Sequence, residues 1–225
     1  MTRALIRSDA RIQQDVLREL KWDTRVEETD VGVEVDGGIV TLTGFVSSHA
    51  KRVAAQEAAH RVSGVRDVAN DVKVRVPGSG ARTDAEIAHV VRNALEWDAH
   101  VPADRIQTTV SDAWVTLEGS VDYWSEREEA ERAILHLGGV RGVTNMIGVS
   151  GPPIESARIR ETIEEALERR AEREAKGIQV KVQEGTVMLS GYVRSWREKR
   201  AILGAVIHAP GVRDVEDNLQ IDPYA

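Results

Sequence analysis

The stretch Gly185-Thr-Val-Met-Leu-Ser-Gly-Tyr-Val193 decides the fold, because the sequence contains it three times. Its earlier copies are Gly38-Ile-Val-Thr-Leu-Thr-Gly-Phe-Val46 and Ala113-Trp-Val-Thr-Leu-Glu-Gly-Ser-Val121. In each copy apolar residues alternate with small or polar residues, which is typical of a β-strand with one buried face. A glycine interrupts each strand at the same position: Gly44, Gly119 and Gly191, 75 and then 72 residues apart. The chain is therefore predicted to repeat one small structural unit three times.

An amphipathic helix is predicted before each copy of this strand. In the first repeat, Ile12, Val16 and Leu20 lie four residues apart, which places them on one face of a helix. The same spacing recurs at the same distance before the other repeat glycines, as Ile87, Val91 and Leu95 and as Ile159, Ile163 and Leu167. Asp9, Asp84 and Ser156 are predicted to cap these helices.

The remaining residues of each repeat predict a hairpin, a second helix and a last strand. Segments 31–35, 106–110 and 178–182 alternate apolar and polar residues, and the turns that follow them close hairpins onto the glycine strands. An alanine-rich stripe predicts the second helix, and the capping box Ser195-Trp-Arg-Glu198 predicts its start in the third repeat. A Gly-Val-Arg sequence at 64–66, 139–141 and 211–213 leads into the last strand.

The predicted fold class is α+β, with three tandem αββαβ units. In each unit two helices pack on one face of a three-stranded mixed sheet, an arrangement that buries all the apolar stripes at once. The turn-rich linkers Pro77-Gly-Ser-Gly80 and Ser150-Gly-Pro-Pro153 divide the chain into domains of residues 1–76, 77–150 and 151–225.

These residues resemble the BON domain, a module named after bacterial osmotically inducible and nodulation proteins. The resemblance rests on the order of the elements, the Thr/Val-x-Leu-x-Gly strand and the Gly-Val-x-x-Val turn. Asn70 and Asn145 stand where that family often has asparagine, and Asp217 takes the third place. The runs at 94–98 and 193–198 are similar to those of cytosolic proteins with three such units. The resemblance implies a binding role at membranes or envelope components in osmotic or envelope stress, without catalysis.

Composition excludes several kinds of site and partner. There is no cysteine, so disulfides and thiolate metal sites are excluded. The net charge of −7 argues against a nucleic-acid-binding protein that uses a large basic face. We found no signal peptide and no apolar run of about 20 residues, the length that spans a bilayer. We therefore expect a cytoplasmic protein without a transmembrane segment.

The sequence predicts neither catalysis nor a metal centre. The six histidines form no metal-type cluster with carboxylates, and no nucleophile elbow, P-loop or dinucleotide fingerprint is present. Among titratable residues, the only one we identify in all three repeats is the arginine of Gly-Val-Arg: Arg66, Arg141 and Arg213. We expect a non-enzymatic protein without cofactors.

The start of the second helix carries the candidate binding residues. Trp124 and Trp196 both stand five residues after the repeat glycine, where the first repeat has His49. A large apolar side chain there is expected to be partly exposed, or buried in packing between domains, so packing and binding of an external partner both remain open. Trp22 and Trp97 match each other at the end of the first helix, and we assign them to the core or to a contact between repeats.

Basic residues distinguish the third repeat. Arg194, Arg197, Lys199 and Arg200 cluster around Trp196, whereas the matching segment of the second repeat holds Glu126, Glu128, Glu129 and Glu131. A tryptophan among basic residues suits an anionic phospholipid surface, although we favour a solvated helix face as the interpretation of these residues. The alternatives are a protein partner, association of the acidic second repeat with a basic patch on another copy (a homo-oligomer), and a small-molecule or ion-sensing site between domains.

Overall fold

The computed structural model describes residues 7–26, 31–75, 82–170 and 177–222, without the side chains of 168–170. The described residues fall into two compact units. The first contains the residues up to Arg75, Tyr192–Arg200 and those from Leu219 onward. The second contains the described residues between Arg75 and Tyr192, together with Ala201–Asn218. The predicted linker at 77–80 lies outside the described residues.

The six helices and ten strands of the described chain follow the predicted order. The first repeat contains α1 (Asp9–Trp22), β1 (Val31–Asp36), β2 (Ile39–Val46), α2 (His49–Arg61), β3 (Asp67–Asn70) and β4 (Lys73–Val74). The second contains α3 (Asp84–Trp97), β5 (Ile106–Ser111), β6 (Trp114–Val121), α4 (Trp124–Leu135) and β7 (Gly142–Val149). The third contains α5 (Ser156–Arg170), β8 (Gln179–Gln183), β9 (Thr186–Val193), α6 (Trp196–Ile207) and β10 (Asp214–Ile221).

Each repeat has its own mixed sheet with the glycine strand in the centre. In the second repeat, β5 pairs antiparallel with β6, and β7 pairs parallel with β6 from Trp114↔Gly142 to Val121↔Val149. The third repeat has the order β10-β9-β8. In the first repeat the last strand is interrupted at Asp71 and Val72, so β3 and β4 each pair parallel with β2. The predicted α+β fold of three αββαβ units is confirmed.

The predicted apolar stripes form the cores. Each of the nine first-helix residues is at most 5% exposed, and the inward residues of the glycine strands, such as Leu42, Leu117 and Leu189, are fully buried. The second helices bury alanines or branched residues against the same sheet face. At roughly 25 cal/mol per Å² of apolar surface, this burial is the main stabilising contribution.

The repeat glycine allows the hairpin to approach closely. Gly119 has φ +134°, and a Cβ there would overlap the carbonyl oxygen of Arg105. Gly191 has φ +136°, and its Cβ would lie 2.5 Å from the carbonyl oxygen of Gly177. Both the backbone angle and the lack of space therefore require glycine.

The predicted capping roles of Asp9 and Asp84 are wrong. Ser8 and Thr83 are the N-caps, and the two aspartates begin the helices one residue later. The Asp9 carboxylate accepts hydrogen bonds from the backbone N–H groups of Gly37 and Gly38, both at 2.9 Å. Asp84 does the same for the turn at 112–113, at 3.0 and 2.8 Å. The carboxylate thus ties the first helix to the hairpin turn instead of closing its own helix.

No helix within the described segments is both long enough and apolar enough to cross a bilayer.

Candidate binding surfaces

In the first repeat, the start of the second helix, α2, presents no exposed aromatic side chain. His49 begins α2 and is only 8% exposed, and its neighbour Ser48 caps the helix by accepting a hydrogen bond from the N–H of Lys51. The prediction of His49 as a binding residue therefore lacks an exposed side chain to support it.

In the second repeat, the start of the second helix, α4, is acidic, and its polar groups form hydrogen bonds and contacts with one another. Trp124 is half-buried, and the Arg127 guanidinium lies 4.6 Å from the centre of its ring. The Glu126 carboxylate accepts hydrogen bonds from the backbone N–H groups of Asp122 and Tyr123, at 2.9 and 3.0 Å. Tyr123, next to the predicted tryptophan, is the exposed aromatic residue at this point.

The other glutamates of α4 also have partners or perturbed surroundings. Glu129 pairs with Arg132 at 2.5 Å, and Glu131 accepts from the Asn145 amide at 3.2 Å. Burial, with a contribution from the neighbouring Glu131, raises the pKa of Glu128. These carboxylates form an acidic helix surface, as the sequence indicated.

Trp196, at the start of α6 in the third repeat, contacts the first repeat. Within the first compact unit, its ring centre lies 3.8 Å from that of His60, with the two planes inclined by 42°. Lys199 Nζ lies 5.2 Å from the centre of the indole and donates a hydrogen bond to the carbonyl oxygen of Leu219 at 2.9 Å. Trp196 is therefore half-buried in an intramolecular contact, one of the two outcomes that the sequence left open.

The four cations around Trp196 have different surroundings. Arg200 pairs with Glu57 at 3.2 Å, and Lys199 is engaged as described above. Arg194 and Arg197 are exposed, and the backbone N–H of Arg194 donates to the Glu198 carboxylate at 2.7 Å. The Glu198 N–H in turn donates to Ser195 Oγ, so the predicted capping residues do meet. Arg200 is exposed as well, so three of the four predicted basic residues face solvent, and Lys199 is half-buried.

His60 is an unusual residue in this region. It is 8% exposed, and neither ring nitrogen has a hydrogen-bond partner among the described residues. Burial lowers the pKa of His60 to about 4. The negative charge of Asp67 opposes this effect, whereas Arg200 and Lys199 reinforce it.

The assignment of Trp22 and Trp97 to a core or an internal contact is wrong. Trp22 is 78% exposed and Trp97 is 86% exposed. Each follows the last residue of its buried stripe, Leu20 or Leu95, by two positions. Two residues correspond to about 200° around a helix, so the indole lies opposite the core. The matching Arg169 of the third repeat has a side chain outside the described set.

The surface beside Trp22 is rich in arginine. An open depression of about 660 Å³ lies next to the tryptophan. Its charged lining consists of four arginines and two carboxylates: Arg7, Arg11, Arg18, Arg61, Asp15 and Glu19. Helix α1 carries three basic and three acidic residues, whereas α3 beside Trp97 carries one basic and three acidic residues. The two matched tryptophans therefore lie in different electrostatic surroundings.

Carboxylates near Trp22 are shared among several arginines. Asp15 contacts Arg7 at 2.9 Å, Arg11 at 3.3 Å and Arg18 at 3.1 Å. The charged residues that line the depression, four arginines and two carboxylates, together have a formal charge of +2. Nearby, the hydrogen bond from Arg25, with a further one from Arg61, holds the pKa of Asp23 well below its usual range.

A basic residue eight positions after the repeat glycine recurs in all three copies, and the sequence analysis missed it. Arg52 donates to the carbonyl oxygen of Asn70 at 3.2 Å, and the Asn70 amide donates to the carbonyl oxygen of Arg52 at 3.0 Å. Arg127 and Asn145 make the same pair at 3.1 and 2.9 Å. Lys199 replaces the arginine in the third repeat. Because these residues satisfy backbone groups of the last strand, we assign them a structural role.

In the described part of the chain, no group of three or more histidine and acidic side chains is placed to hold a metal ion.

Comparisons with known proteins identify the repeated unit. The model of the BON domain matches residues 8–76, 83–151 and 155–223. Osmotically-inducible protein Y of Escherichia coli (strain K12) is 30% identical over 141 residues, which cover 61% of this chain and 70% of that protein. Two solved structures of CdsD, a structural protein of the type III secretion system of Chlamydia trachomatis, are 14% identical, and each covers 93% of this chain. The alignments span 96% and 91% of the CdsD chains, but with TM-scores of 0.28 and 0.26 they support no argument. On the three domain matches and the curated relative, the chain belongs to the BON-domain family.

Proposed function

We propose that this protein is a non-enzymatic, stress-associated binding protein whose first repeat binds an anionic phospholipid surface. The observation that carries the proposal is Trp22, which is 78% exposed beside an arginine-rich depression. Tryptophan suits a membrane interface because its ring is apolar and its N–H is polar. Basic residues near an anionic surface contribute about 1 kcal/mol each. An exposed indole with surplus positive charge around it combines both contributions.

The predicted basic residues of the third repeat form a second contact in this proposal. Arg194 and Arg197 are exposed, as is Tyr192 of β9. Trp196 itself is covered by His60, so we propose that it does not enter the lipid in this conformation. Trp124 lies among glutamates, and we propose that it serves a protein partner or internal packing instead.

The stress association is supported by the likeness to Osmotically-inducible protein Y. We expect the amount of the protein to rise after a hyperosmotic shift, which quantitative immunoblotting measures. A constant level under osmotic and envelope stress would contradict this part of the proposal. The cytoplasmic location stays a prediction, and cell fractionation tests it.

Liposome co-sedimentation tests the lipid proposal. The full chain is mixed with vesicles of phosphatidylglycerol and phosphatidylcholine, and with vesicles of phosphatidylcholine alone. We expect binding to the anionic vesicles only, and weaker binding at higher salt because exposed charges are screened. Trp22→Ala and Arg18→Glu are expected to reduce binding, the latter by about tenfold or more, since it exchanges one favourable charge for an unfavourable one.

Matched variants separate the site from general charge effects. Trp97→Ala removes an equally exposed indole from acidic surroundings, and Arg160→Glu changes the net charge equally on α5, where Arg160 is 55% exposed. Both variants are expected to bind as the parent does. Equal losses for Trp22→Ala and Trp97→Ala would contradict a site in the first repeat. No binding to any anionic vesicle would reject the lipid proposal and leave a protein partner.

A further inference from the structure

The contact between His60 and Trp196 buries polar groups without satisfying them. Both His60 nitrogens and Trp196 Nε1 are buried and have no hydrogen-bond partner within the described part of the chain. A buried polar group without a partner has lost its hydrogen bonds to water and gained none in exchange, which is unfavourable. The contact is therefore less stable than an apolar contact of the same area, and it is sensitive to any change in the charge of the ring.

Charged groups of both signs face the imidazole from the elements packed against it. Glu57 lies on α2 and Asp67 begins β3, while Lys199 and Arg200 lie on α6. Glu57 is shared between Arg25 at 3.1 Å and Arg200 at 3.2 Å. Its negative charge is thus already balanced by two guanidinium groups and is poorly available to a third cation.

A protonated His60 would be unfavourable in this position for two reasons. Imidazolium has two N–H donors, and neither nitrogen has a hydrogen-bond partner among the residues that the structure describes. The indole face, which attracts cations, already has Lys199 Nζ 5.2 Å from its centre. A second positive charge would therefore meet repulsion as well as the cost of burial.

We propose that the His60–Trp196 contact is an acid-sensitive latch, which holds the start of α6 against α2 while His60 is neutral and releases Trp196 when His60 is protonated. This proposal is independent of lipid binding by Trp22, and a separate measurement tests it. Its consequence is that the indole of Trp196 becomes accessible beside Arg197, which is already exposed.

The sign and the pH range follow from the two states of the ring. In the contact the pKa of His60 is about 4, whereas a solvated histidine has a pKa of about 6.5. The released state therefore binds the proton more tightly, and the closed state is favoured above pH 6.5 and loses its advantage as the pH falls towards 4. By linkage, the ratio of released to closed molecules rises about 30-fold between pH 8 and pH 5.

Fluorescence quenching of Trp196 measures the release. In a chain whose other four tryptophans are replaced by phenylalanine, acrylamide quenching is recorded from pH 8 to pH 5, with circular dichroism to confirm that the secondary structure persists. We expect quenching to increase as the pH falls. His60→Phe retains an aromatic ring that cannot be protonated and is expected to abolish the increase. His136→Phe, an exposed histidine at the end of α4, is the matched control and is expected to retain it.

An increase in quenching that persists in His60→Phe would overturn the latch, as would quenching that does not change with pH. A second measurement needs no substitution: NMR of the imidazole and indole nitrogens in the unaltered chain. We expect the His60 ring to titrate well below pH 6.5 and the Trp196 indole resonance to move with the same midpoint. A His60 titration near 6.5, or a Trp196 resonance that ignores it, would likewise overturn the proposal.

Discussion

The first and second repeats share their buried residues position by position but differ in the surroundings of their matched tryptophans. Ile12, Val16 and Leu20 correspond to Ile87, Val91 and Leu95, and all are at most 2% exposed. Trp22 and Trp97 also correspond and are both exposed. One lies beside a depression rich in arginine, the other at the end of a helix with three acidic residues and one basic residue.

This difference separates what the fold requires from what binding requires. A close-packed core depends on the volume and shape of each side chain, so equivalent core positions hold similar residues. An exposed side chain changes stability little, so the same exterior position can have opposite electrostatic surroundings in two repeats. Differences between repeats are therefore the more informative guide to binding.

The largest expected effect tests the shared core. Leu42→Ala and Leu117→Ala remove fully buried side chains from equivalent positions of β2 and β6. Each is expected to destabilise its own repeat by about 2–5 kcal/mol, from lost burial and the cavity that remains. Hydrogen exchange of amides in the two central strands measures each repeat separately. A much smaller cost in one repeat would show that its core is not equivalent.

A smaller effect is expected at the asparagines of the last strands. Asn70→Ala and Asn145→Ala remove the amides that donate to the carbonyl oxygens of Arg52 and Arg127 and accept from the N–H groups of Val72 and Ile147. We expect a loss of about 1–3 kcal/mol in each case, measured by urea denaturation. Asn93→Ala, at an exposed position of α3, is the control and is expected to change stability by less than about 0.5 kcal/mol.

The helix-to-turn hydrogen bonds should contribute less. Asp9→Ala and Asp84→Ala each remove a carboxylate that accepts two backbone N–H groups of an exposed turn. Because water can replace part of the interaction, we expect each to cost about 1 kcal/mol. Thermal unfolding provides the measurement. If Asp84→Ala cost nothing while Asp9→Ala was destabilising, the equivalence of the two turns would be refuted.

The smallest expected effect on stability comes from the matched tryptophans. Trp22→Ala and Trp97→Ala are each expected to change the free energy of unfolding by less than about 0.5 kcal/mol, because both side chains are exposed. Urea denaturation of the two variants measures this directly. A large loss for either would show that its indole packs against the protein in solution, and it would remove that tryptophan as a binding residue.

Most of the fold could be predicted from the sequence because periodic burial leaves a periodic pattern. The stripes of four-residue spacing and the alternating strands were recognised correctly, down to Ile163 and Leu189. The helix caps were misplaced by one residue, because an aspartate at the first helical position resembles an N-cap until the turn that it binds is known. No pattern in the sequence predicted that the last strand of the first repeat is interrupted at Asp71 and Val72.

The binding surfaces were predicted less well, for a geometric reason. Trp22 was assigned to the core or an internal contact from its place at the helix end, although its two-residue offset from Leu20 already indicated the opposite face. The reciprocal hydrogen bonds between Arg52 and Asn70 join residues that are 18 positions apart and lie on different elements. The equivalent position holds arginine in two repeats and lysine in the third, so the recurrence was not recognised in the sequence. His49 matched the tryptophans by alignment alone, and alignment carries no information about exposure.

The sequence by itself determined the threefold repetition, the αββαβ order and the identity of the core residues, because hydrophobic periodicity is a local property of the chain. Only the tertiary structure decided which tryptophans are exposed and that His60 meets Trp196, more than 130 positions away in the sequence. Such contacts depend on how surfaces come together in space, and no local pattern of residues encodes them.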